Sequence, residues 1–161
     1  MERALSSGWS FDAIYQIQSG TPVTVTNATT TAQSLTFRPN RVGDPNRGAS
    51  HRVGAGNVWF NTAAFALPLT ADGEIDNSQS GNEPRGSIRG PDFTSTDIAL
   101  IRSFPLVEGH KVELRFEGFN IFNTPHFAQP NATFGSSAFG SITSTVGGDQ
   151  RLIQLGGKFY F

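Results

Sequence analysis

Arg151-Leu152-Ile153-Gln154-Leu155-Gly156-Gly157-Lys158-Phe159-Tyr160-Phe161 is the stretch that decides the fold. In an extended chain, successive side chains point to opposite faces. Ile153, Leu155, Gly157, Phe159 and Phe161 therefore share one face, and Gln154, Gly156, Lys158 and Tyr160 share the other. A strand of roughly 11 residues tilted near 45° climbs about 25 Å, the height of the apolar band of an outer-membrane barrel. Strands in soluble sheets are usually about 5–6 residues long. The stretch reads as one wall strand with a lipid-facing side and a polar side.

The same period of two recurs upstream. Trp9, Phe11, Ala13, Tyr15 and Ile17 oppose Ser10, Asp12, Gln16 and Gln18, with Ile14 the exception. Ile98, Leu100 and Phe104 oppose Asp97, Ala99 and Ser103, and Val112, Leu114, Phe116 and Gly118 oppose Lys111, Glu113, Arg115 and Glu117. No segment shows a helical period. The pattern predicts an all-β chain of long antiparallel strands near 8–26, 94–104, 111–124 and 150–161, with a further short strand conceivable over 139–145. The connections are long over 27–93, short over 105–110 and long over 124–149. That alternation suits a barrel with long external loops and short periplasmic turns. The long connections are dense in turn signals, among them Gly43-Asp44-Pro45-Asn46 and Arg89-Gly90-Pro91-Asp92.

Composition excludes several classes. Lys+Arg 12 against Asp+Glu 13 leaves a net charge of −1, so no basic face for nucleic acid is expected. Cys 0 removes disulfides, thiolate metal sites and a cysteine nucleophile. Hydrophobic residues at 37% and 14 phenylalanines are too many for a disordered chain. His51, His110 and His126 are scattered without ligand spacing, and Asp72, Glu74 and Asp76 lack the Ca²⁺-loop pattern. No nucleotide fingerprint or catalytic triad order is present. No metal, no cofactor and no catalytic residue is expected. Met1–Gly8 holds no signal-peptide core. Four strands cannot close a barrel, for which eight is the usual minimum. The chain is thus expected to be the C-terminal piece of a larger one.

Candidate functional residues follow from the pattern. Lys111, Glu113, Arg115 and Glu117 form an alternating charge ladder expected to face the lumen. Arg38, Asn40, Trp59 and Phe60, all in the long connection, are candidate ligand contacts, since aromatic and polar groups on loops commonly bind solutes. A soluble secreted β-sandwich for binding or adhesion is the alternative reading, and a small barrel of several copies is a third.

Gln154, Gly156, Phe159 and Phe161 occupy the four defined positions of a pattern that resembles the outer-membrane insertion signal read by the barrel-assembly machinery. Ser19-Gly20-Thr21-Pro22, Arg38-Pro39-Asn40, Gly43-Asp44-Pro45-Asn46, Trp59-Phe60-Asn61-Thr62-Ala63-Ala64-Phe65, Arg89-Gly90-Pro91 and Phe119-Asn120-Ile121-Phe122-Asn123 extend the likeness over most of residues 8–161. In this order they resemble the C-terminal end of TonB-dependent outer-membrane receptors, the closest subgroup being the Oar-like receptors that carry a carboxypeptidase-regulatory-like domain. The resemblance implies an outer-membrane location and a barrel of about 22 strands with a plugged lumen. It also implies contact with outer-membrane lipid, with the rest of the barrel and plug, and with TonB through an N-terminal part missing here. It implies import of a bulky solute, with this chain serving as wall and having no activity of its own.

Overall fold

The computed structural model describes residues 7–28, 36–54, 56–76, 78–107 and 109–161. Residues 1–6, read above for a signal-peptide core, lie outside the described residues, as do 29–35 in the long connection. The strands in chain order are β1 (Trp9–Gln18), β2 (Pro22–Val23), β3 (Thr26–Asn27), β4 (Asn40–Arg41), β5 (Phe65–Ala66), β6 (Ile88–Arg89), β7 (Phe93–Pro105), β8 (Lys111–Phe119), β9 (Thr133–Phe134) and β10 (Leu152–Tyr160). One short 3₁₀ turn, Thr62–Ala64, precedes β5. Among the described residues no helix is long and apolar enough to cross a membrane, which says nothing of crossing by strands.

The chain divides into two units. The first holds residues up to Gln18, Phe93–His126 and Gly147–Phe161. It is a four-stranded antiparallel sheet in the order β1-β7-β8-β10. At 9–13 residues these strands rise roughly 21–30 Å at a 45° tilt. Register aligns the faces across the whole sheet. Phe11 pairs with Leu100, Leu100 with Phe116, and Phe116 with Leu155. On the other face Asp12 pairs with Ala99, Ala99 with Glu117, and Glu117 with Gln154. A slip of one residue anywhere would mix the two sides. The apolar side stays open: Phe11 is 64% exposed, Ile17 68% and Leu155 78%. A sandwich needs a second sheet over such a face, and these exposures argue against it. Between β7 and β8 the turn is tight, with the Leu106 N–H donating to the His110 carbonyl at 2.8 Å.

The second unit is Ser19–Asp92 with Phe127–Val146. It corrects two expectations. The strand expected over 8–26 ends at Gln18, and β2 and β3 belong to this unit. The region 27–93, read as loop, has a core instead. Val23, Val25, Phe60, Ala64, Phe65 and Ile88 are buried, and Trp59, Phe134 and Phe139 pack against them. Phe60 meets Phe65 and Phe139 edge to face at 5.7 and 5.2 Å, the arrangement aromatic rings prefer. Two-residue ladders β2–β6 and β4–β5 are antiparallel, and β3–β9 is parallel, a local exception to the antiparallel rule. No strand forms over 139–145. An isolated bridge joins Phe127 to Thr145 instead.

Apart from Phe119–Asn123, which belongs to the four-stranded unit, the motifs that carried the resemblance lie in this unit, several of them at its joints. Gly20 crosses Gly90 so closely that a Cβ on Gly20 would lie 1.9 Å from the Gly90 carbonyl oxygen. The Gly20 N–H donates to Asp92 Oδ1 at 2.9 Å and the Gly90 N–H to the Thr21 carbonyl at 3.0 Å. The Trp59 indole donates to the Arg89 carbonyl at 2.7 Å. Asn61 caps the 3₁₀ turn, accepting from the Ala63 N–H at 3.1 Å, and its own N–H donates to the Pro45 carbonyl at 2.7 Å.

Candidate functional site

On the polar face of the sheet the charge ladder is continuous. Arg115 lies between Glu113 and Glu117, with N···O distances of 3.8 Å to each. On β10 Lys158 pairs in register with Glu113, and Tyr160 with Lys111. The Tyr160 hydroxyl donates to Glu113 at 3.4 Å, and the Lys111 and Lys158 ammonium groups stand 4.1 and 4.6 Å from the Tyr160 ring centroid. Ion pairs this long on an exposed surface contribute little stability. What the ladder provides is a charged surface. Asp12, Asp97 and Glu117 line a shallow pocket of about 160 Å³ on the same sheet.

The residues of the insertion-signal pattern lie along β10 and just past it. Gln154 faces Glu117 and Gly156 faces Arg115. Phe159 stacks on His110 at 5.8 Å and on Phe161 at 6.2 Å. Phe161 itself is 98% exposed.

The four candidate ligand contacts separate by environment. Phe60 is fully buried. It offers no surface to a ligand, and its role is packing, which corrects the expectation above. Trp59 is half-buried, with its indole N–H spent on Arg89 and its ring edge-on to His51 at 5.2 Å. Asn40 accepts from the Asn82 N–H at 3.0 Å, while Asn82 accepts from the Arg41 N–H at 2.7 Å, a reciprocal clasp. Arg38 donates from Nη1 to the Glu83 carbonyl at 2.7 Å and from Nε to Ser80 Oγ at 3.2 Å. It lines a cleft of about 470 Å³.

Two groups carry more of the structure than their sequence context suggested. Glu83 is fully buried and takes a two-pronged contact from Arg41, Nε at 2.8 Å and Nη2 at 3.1 Å, with the Ser87 hydroxyl on the same carboxylate. Asn120, just past β8, is buried at a positive φ of 46°. Its N–H donates to Asp97 Oδ1 at 2.8 Å and its Nδ2 to the Thr124 carbonyl at 2.9 Å and to the Asp149 carbonyl, while Oδ1 accepts from the Thr124 N–H at 3.0 Å. Nearby His126 is buried with Nε2 2.9 Å from the Thr94 carbonyl. The other two histidines are occupied separately, and among the described residues no cluster of three or more His, Asp or Glu is placed to hold a metal ion. Asp76, in the acidic run read above, turns its carboxylate onto its own loop. The Ser78 hydroxyl, the Ser78 N–H and the Gln79 amide donate to it and hold its pKa below the usual carboxylate range. A carboxyl depressed in this way supports the loop above the unfolded-state pKa and loses that support as pH falls through its folded pKa.

No curated protein and no solved structure matches the chain. A family model described as an outer membrane beta barrel domain matches residues 1–154. The match covers β1, β7, β8 and the first three residues of β10, together with the unit built from the long connections. The chain belongs to the outer membrane beta barrel domain family, and its place is the wall of a barrel in the outer membrane.

Proposed function

We propose that this chain is the C-terminal part of the wall of a TonB-dependent receptor that imports a bulky solute, and that it performs no catalysis of its own. The observation that carries the reading is the register that aligns a mainly apolar face and a mainly polar one across all four long strands, with Arg102 on the apolar face covered by the Trp9 and Phe104 rings and Ile14 and Ile101 on the polar one. The apolar face meets lipid, and Lys111, Glu113, Arg115 and Glu117 face the lumen. The short turn after β7 is periplasmic, and the second unit, made from the long connections, is external. The quoted loop motifs support the receptor assignment, since Gly20, Gly90 and Asn61 sit at the close approaches that hold this unit. The rest of the barrel, its plug, the barrel-assembly machinery and TonB are the partners this reading requires.

Ile153→Arg places a guanidinium on the apolar face, and a loss of about 2–4 kcal/mol is expected if the position lies near the bilayer middle. Urea unfolding in lipid vesicles measures it, and a loss near zero would remove this face from lipid. Phe161→Ala, in the protein as the cell makes it, is expected to lower the amount assembled in the outer membrane several-fold at unchanged synthesis. Equal amounts of folded, heat-modifiable barrel would sink the insertion-signal role.

The receptor reading as a whole is tested with an antibody to residues 150–161 on fractionated native cells, followed by co-purification. A large outer-membrane band that brings down TonB is the expected result. A soluble band near the mass of this chain, or a large band that never brings down TonB, would overturn it.

A further inference from the structure

The cleft lined by Arg38 has an unusual chemistry for its size. At about 470 Å³ it falls in the range of small-molecule sites, about 300–1,000 Å³. Its walls carry two guanidinium groups, Arg38 and Arg85, the hydroxyls of Thr24, Thr26, Thr36 and Ser80, and the ring of Phe37. Among the described residues no carboxylate lines it. The nearest acidic side chain in sequence, Glu83, is fully buried and committed to Arg41 and Ser87, so it does not neutralise the cleft. Arg38 is held in place: its bonds to Ser80 Oγ and to the Glu83 carbonyl use Nε and Nη1 and fix the guanidinium plane. A fixed arginine fork recognises an oxyanion at lower entropic cost than a free one. Arg85, by contrast, is exposed.

We propose that this cleft binds a small hydroxylated anion through a carboxylate or phosphate group, with Arg38 as the preset half of the site and Arg85 as the half that closes on the ligand. Ring hydroxyls or chain hydroxyls of such a ligand meet the threonines, and its less polar side meets Phe37. That this anion is cargo rests on the uptake reading; that the cleft binds it does not.

The test is calorimetric titration of the whole protein, extracted from its native outer membrane in mild detergent, with citrate, inorganic phosphate or glucose at matched ionic strength in chloride. At least one of the two anions is expected to bind, with affinity falling as salt rises, and glucose is expected to bind more weakly or not at all. Citrate alone identifies a carboxylate ligand and phosphate alone a phosphoryl ligand. Arg85→Gln is expected to weaken binding about tenfold, the scale of one charge-assisted fork, and Arg85→Lys to weaken it less. Because Arg85 is exposed, neither change threatens the fold. Neither anion binding above chloride, glucose binding as tightly as the anions, or Arg85→Gln binding like the parent would overturn the proposal. Anion binding by a protein that never brings down TonB would keep the site and remove the transport role.

Discussion

Glu83→Ala is expected to destabilise the unit built from Ser19–Asp92 and Phe127–Val146 by about 3 kcal/mol. Removing one member of a buried ion pair typically costs about 3–5 kcal/mol, because the partner keeps its charge and loses its solvation. Here the lower end applies, since the Arg41 side chain is 34% exposed and water can reach it once the carboxylate is gone. The loss extends beyond the pair. Ser87 gives up its acceptor, and the segment that delivers the Glu83 carbonyl to Arg38 loses its anchor. Glu83→Gln keeps the shape and one acceptor, and is expected to cost roughly half as much. In a background in which Trp9 and any tryptophan outside these 161 residues are replaced by Phe, Trp59 is the indole reporter. Its fluorescence in a urea titration then reads this unit. A shift below about 1 kcal/mol for Glu83→Ala would show that the pair is not a keystone.

Asn120→Ala is expected to cost the four-stranded unit a similar amount, about 3 kcal/mol. Three hydrogen bonds from a buried side chain disappear, and the Thr124 and Asp149 groups left behind have little water to replace it. Alanine also fits the positive φ poorly, at a cost of about 1–2 kcal/mol. Asn120→Gly loses the same side-chain bonds but accepts that backbone. It should therefore recover about 1 kcal/mol relative to alanine. Unfolding of the purified barrel in detergent, followed by loss of heat-modifiable mobility, measures both. Identical midpoints for alanine and the parent would show that the Phe119–Asn123 turn is held by backbone bonds alone.

The sequence made the sheet legible because a half-exposed strand writes its burial as a period of two. Val112, Leu114 and Phe116 against Glu113, Arg115 and Glu117 leave little choice of face, and the structure keeps that division against β10 and against most of β7, the exceptions being Arg102 opposite Leu114 and Ile101 opposite Arg115. The second unit left no such trace. Its strands are two residues long, too short to show a period, and its order comes from contacts distant in sequence. Arg41 and Glu83 are 42 positions apart, and each alone looks like a solvated loop charge. Trp59 and Phe60 are neighbours of the same chemistry, yet only the second is fully buried. Which of them the core takes is decided by Phe65 and Phe139 meeting there, not by either residue. The candidate cleft was half visible for the same reason: Arg38 stood out beside Pro39 and Asn40, whereas Arg85 joins it only through the fold.

The crossing of Gly20 with Gly90 has a kinetic consequence. Pairing Gln18 with Phe93 through an unstructured Ser19–Asp92 would cost about 2 kcal/mol more in closure entropy than pairing β7 with β8 through their short turn. Left to diffusion, β1 would zip last. The β2–β6 ladder and the bond from Gly20 to Asp92 instead bring the two ends of that segment together. Once the segment has folded, the tips of β1 and β7 are delivered side by side at high effective concentration. The order of events then inverts: the long connecting segment acts as the clamp that starts the pairing.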